Sequence, residues 1–194
     1  MYAPHRLAFA AKRALDIGAS AAGLLMLAPL GLCAAAAIAR EDGRPMIYRA
    51  TRVGRYGRPF TMYKLRTMRR DAASRGPAIT TAADPRVTRV GRLLRRTRID
   101  ELPQLWNVLR GDMSLVGPRP PLAHEVARYE DWQVRRLDVT PGITCLWGVS
   151  GRSKLDFDEM VMLDLYYIDN WSLGLDLRIL LRTALTLLRP GGAY

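Results

Sequence analysis

From Ile17 to Ala39 the chain carries no charged residue for 23 positions, and no other feature of its 194 residues restricts the fold so strongly. At 1.5 Å per residue a helix of that length covers about 35 Å, enough for the hydrocarbon core of a bilayer. A cleaved leader would have a shorter apolar run, a small-residue cleavage site and a polar start. Here the run passes unbroken into a basic segment. Pro29 stands near its middle, where proline removes one backbone hydrogen bond and bends a helix. Basic residues flank both ends: His5, Arg6, Lys12 and Arg13 before, then Arg40, Arg44, Arg49, Arg52, Arg55 and Arg58 after. A spanning helix carries its Lys and Arg excess on one side. The pattern favours a proline-broken, re-entrant hairpin that enters and leaves by one leaflet over a plain span, although proline is tolerated in spanning helices. Asp16, one turn inside the run, reads equally as the partner of a head-group-level base or as a helix N-terminal charge.

The expected organisation is a membrane-embedded unit over 1–44 and a single catalytic unit at the membrane surface over 45–194, a length that suits one compact core. A formal charge of +12 calls for an anionic partner, whether nucleic acid, lipid head group or phosphorylated substrate. Two cysteines, Cys33 and Cys145, make no disulfide framework, and His5 and His124 show no ligand spacing.

The fold class expected is α+β, mostly helical with a small β-hairpin, the re-entrant helix and amphipathic interfacial helices. Met46 to Val53 and Pro59 to Leu65, joined through Arg55-Tyr56-Gly57-Arg58, read as the hairpin. Residues 71–84 read as an exposed loop, either a lid over substrate or an inert connection. Over Arg86 to Arg98, Val87, Val90, Leu93 and Leu94 recur at helical spacing among six arginines. That helix either lies on an anionic membrane surface or shows a solvated arginine face. Further helices are expected from Leu102 to Leu109, from Leu122 to Leu137, from Phe157 to Asn170 and from Asp176 to Arg189, the last packed on the domain or in the interface.

Pro103 is acceptable only near the first turn of its helix, which puts Asp100 and Glu101 at the helix start behind Arg95-Arg96-Thr97-Arg98. A carboxylate there is commonly a cap. Its neighbours suggest chemistry instead. An aspartate with the reference pKa of about 3.9 is ionised at neutral pH and needs no histidine to attack phosphorus. Arginines nearby would shield phosphate oxygens and stabilise the transition state. Mg²⁺ could bridge Asp100 and a diphosphate.

With these residues in view, the chain strongly resembles the monotopic bacterial phosphoglycosyl transferases, the sugar transferases that start lipid-linked glycan assembly. The likeness rests on Lys12-Arg13-Ala14-Leu15-Asp16, Lys64-Leu65-Arg66-Thr67-Met68, Thr97 through Gln104, Asn107 through Ser114, Val116-Gly117-Pro118-Arg119-Pro120, Pro141-Gly142-Ile143-Thr144 and Leu163 through Tyr167, in family order along nearly the whole chain. It implies a minimal form of the enzyme, without the extra membrane domain of larger relatives. The implied reaction is two-step: Asp100 takes the phosphosugar from a UDP-sugar with release of UMP, then passes it to polyprenyl (undecaprenyl) phosphate. Glu101 completes the dyad. Lys64, Arg66, Arg95 and Arg119 are the implied substrate-binding cations, Asp100 the metal-side acid, Pro29 the membrane break and Mg²⁺ the cofactor. Lys64 otherwise reads as a surface salt bridge and Arg95 as an interfacial lipid contact. The implied setting is the cytoplasmic face of the bacterial inner membrane, among anionic lipids, in glycoconjugate or exopolysaccharide synthesis.

Two departures from the family stand out. Ala28 precedes Pro29 where a serine is frequent, and Cys145-Leu146-Trp147-Gly148 replaces the usual Gly-Trp start, which bears on sugar or nucleotide specificity. Arg152 reads equally as a substrate contact or a surface residue, and Asp164, Asp169 and Asp176 as structural partners of arginines. The rival reading is a membrane-tethered basic module gripping nucleic acid or anionic lipid without chemistry. Nucleic-acid binding usually adds a stacking surface of aromatics, and here most aromatics fall in apolar helical patterns, so no nucleic acid is expected.

Overall fold

A computed structural model describes residues 3–74, 84–151 and 155–188. The element order is α1 (Ala3–Asp42), β1 (Ile47–Val53), β2 (Pro59–Leu65), α2 (Arg89–Thr97), α3 (Gln104–Arg110), β3 (Ser114–Val116), α4 (Ala123–Val126), α5 (Asp131–Val134), β4 (Gly142–Thr144), α6 (Phe157–Asp169) and α7 (Leu173–Leu188). Helix predominates and a small β-hairpin is present, as expected, but three details differ from the sequence reading. The helix expected over Leu122 to Leu137 is two four-residue helices followed by a 3-10 turn, Arg135–Asp138. Glu125 and Gln133 side chains turn back to accept the N–H groups of Leu122 and Glu130, so each short helix starts anew at its own side-chain cap. A second sheet, β3 parallel to β4, is too short to leave a periodic signal. Helix α7 starts at Leu173, before the expected Asp176.

Antiparallel pairing of β1 and β2 sets Tyr48 opposite Lys64, Ala50 opposite Met62 and Arg52 opposite Phe60. Alternation along a strand puts these six on one face. Ala50 and Met62 are buried there with Val108 and Met113, so Lys64 projects from the face that looks at α3. Between β3 and β4 the backbones come so close that a Cβ at Gly142 would collide with the backbone of Gly117. A second core gathers Val116, Leu146, Tyr167 and Ile179 under α6 and α7.

Helix α1 is one continuous element of 40 residues with Pro29 inside it. The expected break into two helices is corrected: one interior proline forfeits a single hydrogen bond, and the alanine- and leucine-rich turns on either side keep the rest. Both ends pack on the same body. Near the N-terminus Arg13 donates to the carbonyls of Val108 and Leu109 at 2.6 and 2.8 Å, and Phe9 stacks on Trp171 at 4.4 Å. Asp16 accepts the Leu115 N–H at 3.0 Å, so its partner is backbone and not a base. Near the C-terminus Ala34 and Ile38 enter a core with Leu65 and Leu94. The Glu41 carboxylate accepts the N–H groups of Arg89 and Val90, which start α2. Between these anchors no residue of 25–33 is buried, and Leu25, Met26 and Leu32 are each more than 70% exposed (79%, 73% and 71%).

Candidate active site

Three local devices bring the two acids to the hairpin. Thr88 caps α2 by accepting the Gly91 N–H at 2.9 Å. Gly91 then lies directly on the Thr67 carbonyl, where any Cβ would collide, so α2 packs against the end of β2 at backbone distance. One turn on, Arg95 donates through Nε to Thr67 Oγ1 at 2.9 Å. Arg98 closes α2 in the left-handed region at φ 55 and turns the chain into a 3-10 turn, Ile99–Glu101. Asp100 therefore sits in that turn, ahead of α3, and not on the helix itself.

Asn107, wholly buried, fixes the other side. Its Oδ1 accepts the Tyr63 N–H at 3.1 Å and its Nδ2 donates to the Thr61 carbonyl at 2.7 Å. These two bonds pin α3 to β2 across the residues that bracket Met62, and so set Lys64 against the dyad. Lys64 Nζ bonds Glu101 Oε1 at 2.9 Å. Burial pushes Glu101 up, but Lys64, with Arg98 and Arg119 behind it, more than offsets this and holds the carboxyl below its usual range.

Asp100 behaves in the opposite way. It is 9% exposed, and among the described residues no side chain is hydrogen-bonded or ion-paired to its carboxylate. Burial pushes it up to about 6; the charge of Lys64 opposes this, that of Glu101 adds to it, and that of Arg95 opposes it again. Two adjacent acids thus differ in kind: one spoken for, one desolvated and free to bond something else. The sequence reading took the ordinary carboxylate value for Asp100, and burial raises it. At neutral pH Asp100 is still largely ionised, and as a more basic carboxylate it is the better nucleophile.

Of the four cations inferred from sequence, Lys64, Arg95 and Arg119 act electrostatically on the dyad. Arg119 is exposed in the Pro118-Arg119-Pro120 turn. Arg66 is not turned to the dyad by its described bonds: its Nη2 donates to the carbonyls of Asp42 and Gly43 at 3.0 and 2.7 Å and pairs with the Asp42 carboxylate at 3.2 Å. It clamps the end of α1. Among the described residues no three His, Cys, Asp or Glu side chains converge on a metal-sized space. The dyad offers two carboxylates, which suits Mg²⁺, an ion that keeps several waters and shares phosphate oxygens with its substrate.

Asn107 and Thr67 were legible only as members of motifs, and Gly91 not at all; their roles depend on contacts at and beyond the end of β2 that no local pattern announces. Asp164, Asp169 and Asp176 pair with Arg136, Arg135 and Lys12 at 2.6 Å each, structural as read, though every partner comes from another element. Arg152 and most of the loop over 71–84 lie outside the described residues.

The family model described as bacterial sugar transferase matches residues 7–190, and the chain belongs to that family. It is 46% identical over 94% of its length to a Streptococcus agalactiae galactosyl transferase, CpsE, covering 43% of that protein. It is 43% identical over 94% of its length to the undecaprenyl-phosphate galactose phosphotransferase of Salmonella typhimurium, covering 41%. A UDP-glucose:undecaprenyl-phosphate glucose-1-phosphate transferase of Caulobacter vibrioides is 46% identical over 94% of the chain, which covers 72% of it. The chain thus spans about two fifths of the length of the first two relatives and most of the third.

Proposed function

We propose that this protein is a membrane-bound transferase that moves a sugar 1-phosphate from a UDP-sugar to polyprenyl phosphate, the activity named for its Salmonella and Caulobacter relatives. One observation carries the reading: a buried carboxylate, Asp100, bonded by no side chain among the described residues, with the charges of Lys64 and Arg95 acting on it and that of Arg119 on its neighbour Glu101. A binding module without chemistry has no use for such an acid, whose burial costs stability.

In the first step an Asp100 carboxylate oxygen attacks the β-phosphorus of the donor. The bond from that phosphorus to the α-phosphate oxygen breaks, and UMP leaves with the electron pair. Arg95 and Arg119 bind phosphate oxygens, which lowers repulsion toward the incoming carboxylate and stabilises charge in the transition state. Lys64 holds Glu101 and keeps Asp100 largely ionised. In the second step a polyprenyl phosphate oxygen, already an anion, attacks the same phosphorus and the aspartyl–phosphorus bond breaks, which restores Asp100. Asp100 and Glu101 would hold Mg²⁺, which supplies charge neutralisation for the diphosphate when bound.

The lipid substrate requires the site to lie at a membrane, and the shape of α1 supports this. Its most apolar 18-residue window is only 11% buried, unlike the core helix of a water-soluble protein. Both ends of α1 are bonded to one body while 25–33 stand clear of it. An apolar middle in the bilayer with both ends on one catalytic unit is the re-entrant, one-leaflet arrangement, with that unit on the cytoplasmic face of the inner membrane. Exposed Leu93 and Trp106 near Arg92 and Arg96, and Leu177, Leu181 and Leu185 beside Arg178 and Arg182, fit contact with anionic lipid.

The test is UMP release from UDP-sugars by purified protein with polyprenyl phosphate and Mg²⁺. Release that Asp100→Asn abolishes, with a phosphosugar adduct on Asp100 in mass spectra of donor-only mixtures, is the expected outcome; activity with no adduct there overturns the covalent route. Topology is read separately from cysteines placed at Leu7 and Arg44 in a Cys33→Ala background, where labelling from opposite sides of intact cells would sink the one-leaflet arrangement.

A further inference from the structure

Past its exposed stretch over 25–33, α1 turns one face to the catalytic unit, and Ala34, Ile38 and Glu41 lie along that face at helical spacing. Ala34 and Ile38 are 7% and 3% exposed and pack with Leu65 of β2 and Leu94 of α2. Val90 and Ile99 lean on the same cluster. Ile99 is the residue before Asp100, so part of the platform under the catalytic turn belongs to the membrane helix. Glu41 adds a polar bond to this packing. A helix start leaves its first four N–H groups without partners inside the helix. In α2 all four are taken. Thr88 donates to the Thr67 carbonyl at 3.1 Å, and Gly91 to Thr88 Oγ1 at 2.9 Å. Arg89 and Val90 donate to the two oxygens of Glu41 at 2.8 and 2.9 Å. A carboxylate there also meets the positive end of the helix dipole.

Helix α2 transmits what happens at its start. Its 9 residues form one short rod: Glu41 holds the first turn, the last turn carries Arg95, and Arg98 leads directly into Ile99–Glu101. A tilt introduced at the first turn therefore reaches both Arg95 and the dyad. The other end of α1 is fastened differently. Lys12 pairs with Asp176 on α7, which packs on β3 and β4. That anchor joins the membrane helix to the body without passing through α2.

Resting on the transferase reading above, we propose that Glu41 is a positioning residue: with Ala34 and Ile38 it makes the end of the membrane helix the support on which Arg95 and the Asp100 turn are aligned. The bilayer anchor is then part of the catalytic alignment as well as a tether.

Three variants of the full chain in nanodiscs test this. Glu41→Ala removes both bonds, Glu41→Gln keeps one carbonyl acceptor, and Ala34→Leu leaves every polar bond in place while overpacking the contact with Leu94. In Glu41→Ala and Ala34→Leu, kcat per folded molecule for UMP release should fall about tenfold, since small misplacements far from the chemistry are enough. KM for the UDP-sugar should stay within about twofold, and Glu41→Gln should fall between Glu41→Ala and wild type. Amide exchange gives a readout that needs no turnover. In Glu41→Ala the Arg89 and Val90 amides should exchange about 3–10-fold faster, the loss of one hydrogen bond each. The acceleration should extend to the Glu101 and Leu102 amides, which close the catalytic turn on the Arg98 and Ile99 carbonyls. Asp176→Ala, which frees the other end of α1, should lower the denaturation midpoint and keep kcat per folded molecule. Unchanged kcat in both Glu41→Ala and Ala34→Leu, faster exchange that stops within α2, or an equal kcat loss in Asp176→Ala overturns the assignment. A wild-type chain that releases no UMP, yet whose Glu101 amide still responds to Glu41→Ala, sinks the transferase reading alone; an active enzyme whose kcat and Glu101 exchange ignore Glu41 sinks the positioning role alone.

Discussion

Asp100 and Asp176 are both carboxylates with little exposure, 9% and 6%, and they are built in opposite ways. Asp176 receives Lys12 at 2.6 Å, the Tyr167 hydroxyl at 2.8 Å and the Trp171 indole at 3.2 Å. Tyr167 and Lys12 also donate to the Val116 carbonyl, so α1, β3, α6 and α7 meet at one saturated acid. Asp100 has cations in range and, among the described residues, no side chain bonded to it. A saturated buried acid joins elements; an unsaturated one lowers stability and retains reactivity. The contrast identifies which aspartate the fold uses as a rivet and which it reserves.

The largest effect expected from this contrast is at Asp100. Asp100→Asn should lower UMP release by at least about 10³-fold. The same change should stabilise the protein. Its folded pKa of about 6 lies above that of the unfolded chain, so the folded state keeps a proton that the unfolded state releases, and stability falls as pH rises from about 4 through 6. Removing the charge should return about 1–2 kcal/mol at pH 7.5, read as a higher denaturation midpoint. An Asn variant less stable than wild type would break the comparison.

Asp176→Ala should do the reverse. Leaving Lys12 buried without its partner costs about 3 kcal/mol by denaturant unfolding, while kcat per folded molecule changes little. Next in size, Asn107→Leu should cost about 2 kcal/mol, because the Tyr63 N–H and Thr61 carbonyl lose their partner. It should also lower kcat, since the bond that sets Lys64 against the dyad is gone. The smallest effect is a shift in the pH profile. Activity should rise with pH through about 6 as Asp100 ionises. In Lys64→Met the loss of a positive charge raises the Asp100 pKa further, moving the ascending limb of kcat/KM up by about one pH unit or less. A limb that stays put would mean that Lys64 serves Glu101 alone.

Much of this was legible in the chain. The hairpin followed from alternation around Arg55-Tyr56-Gly57-Arg58, and α1, α2 and α6 from apolar spacing. The reading of Asp100 and Glu101 as a candidate dyad came from adjacent acids behind arginines. Arg66 was read as a substrate cation because a motif gives residue type and order but not direction; its described bonds go to the end of α1. The helix expected from Leu122 to Leu137 failed because two side-chain caps interrupt a pattern that periodicity alone would continue.

What the sequence determined by itself was composition along a line: where the apolar run lies, which strands alternate, and which acid stands among bases. These depend on neighbours within a few positions, where propensity and period act. Tertiary structure alone decided the difference between the acids. Whether a carboxylate is bonded or bare depends on Lys12 meeting Asp176 across 164 positions, and on Lys64 reaching Glu101 and not Asp100, contacts that exist only when distant segments are packed together.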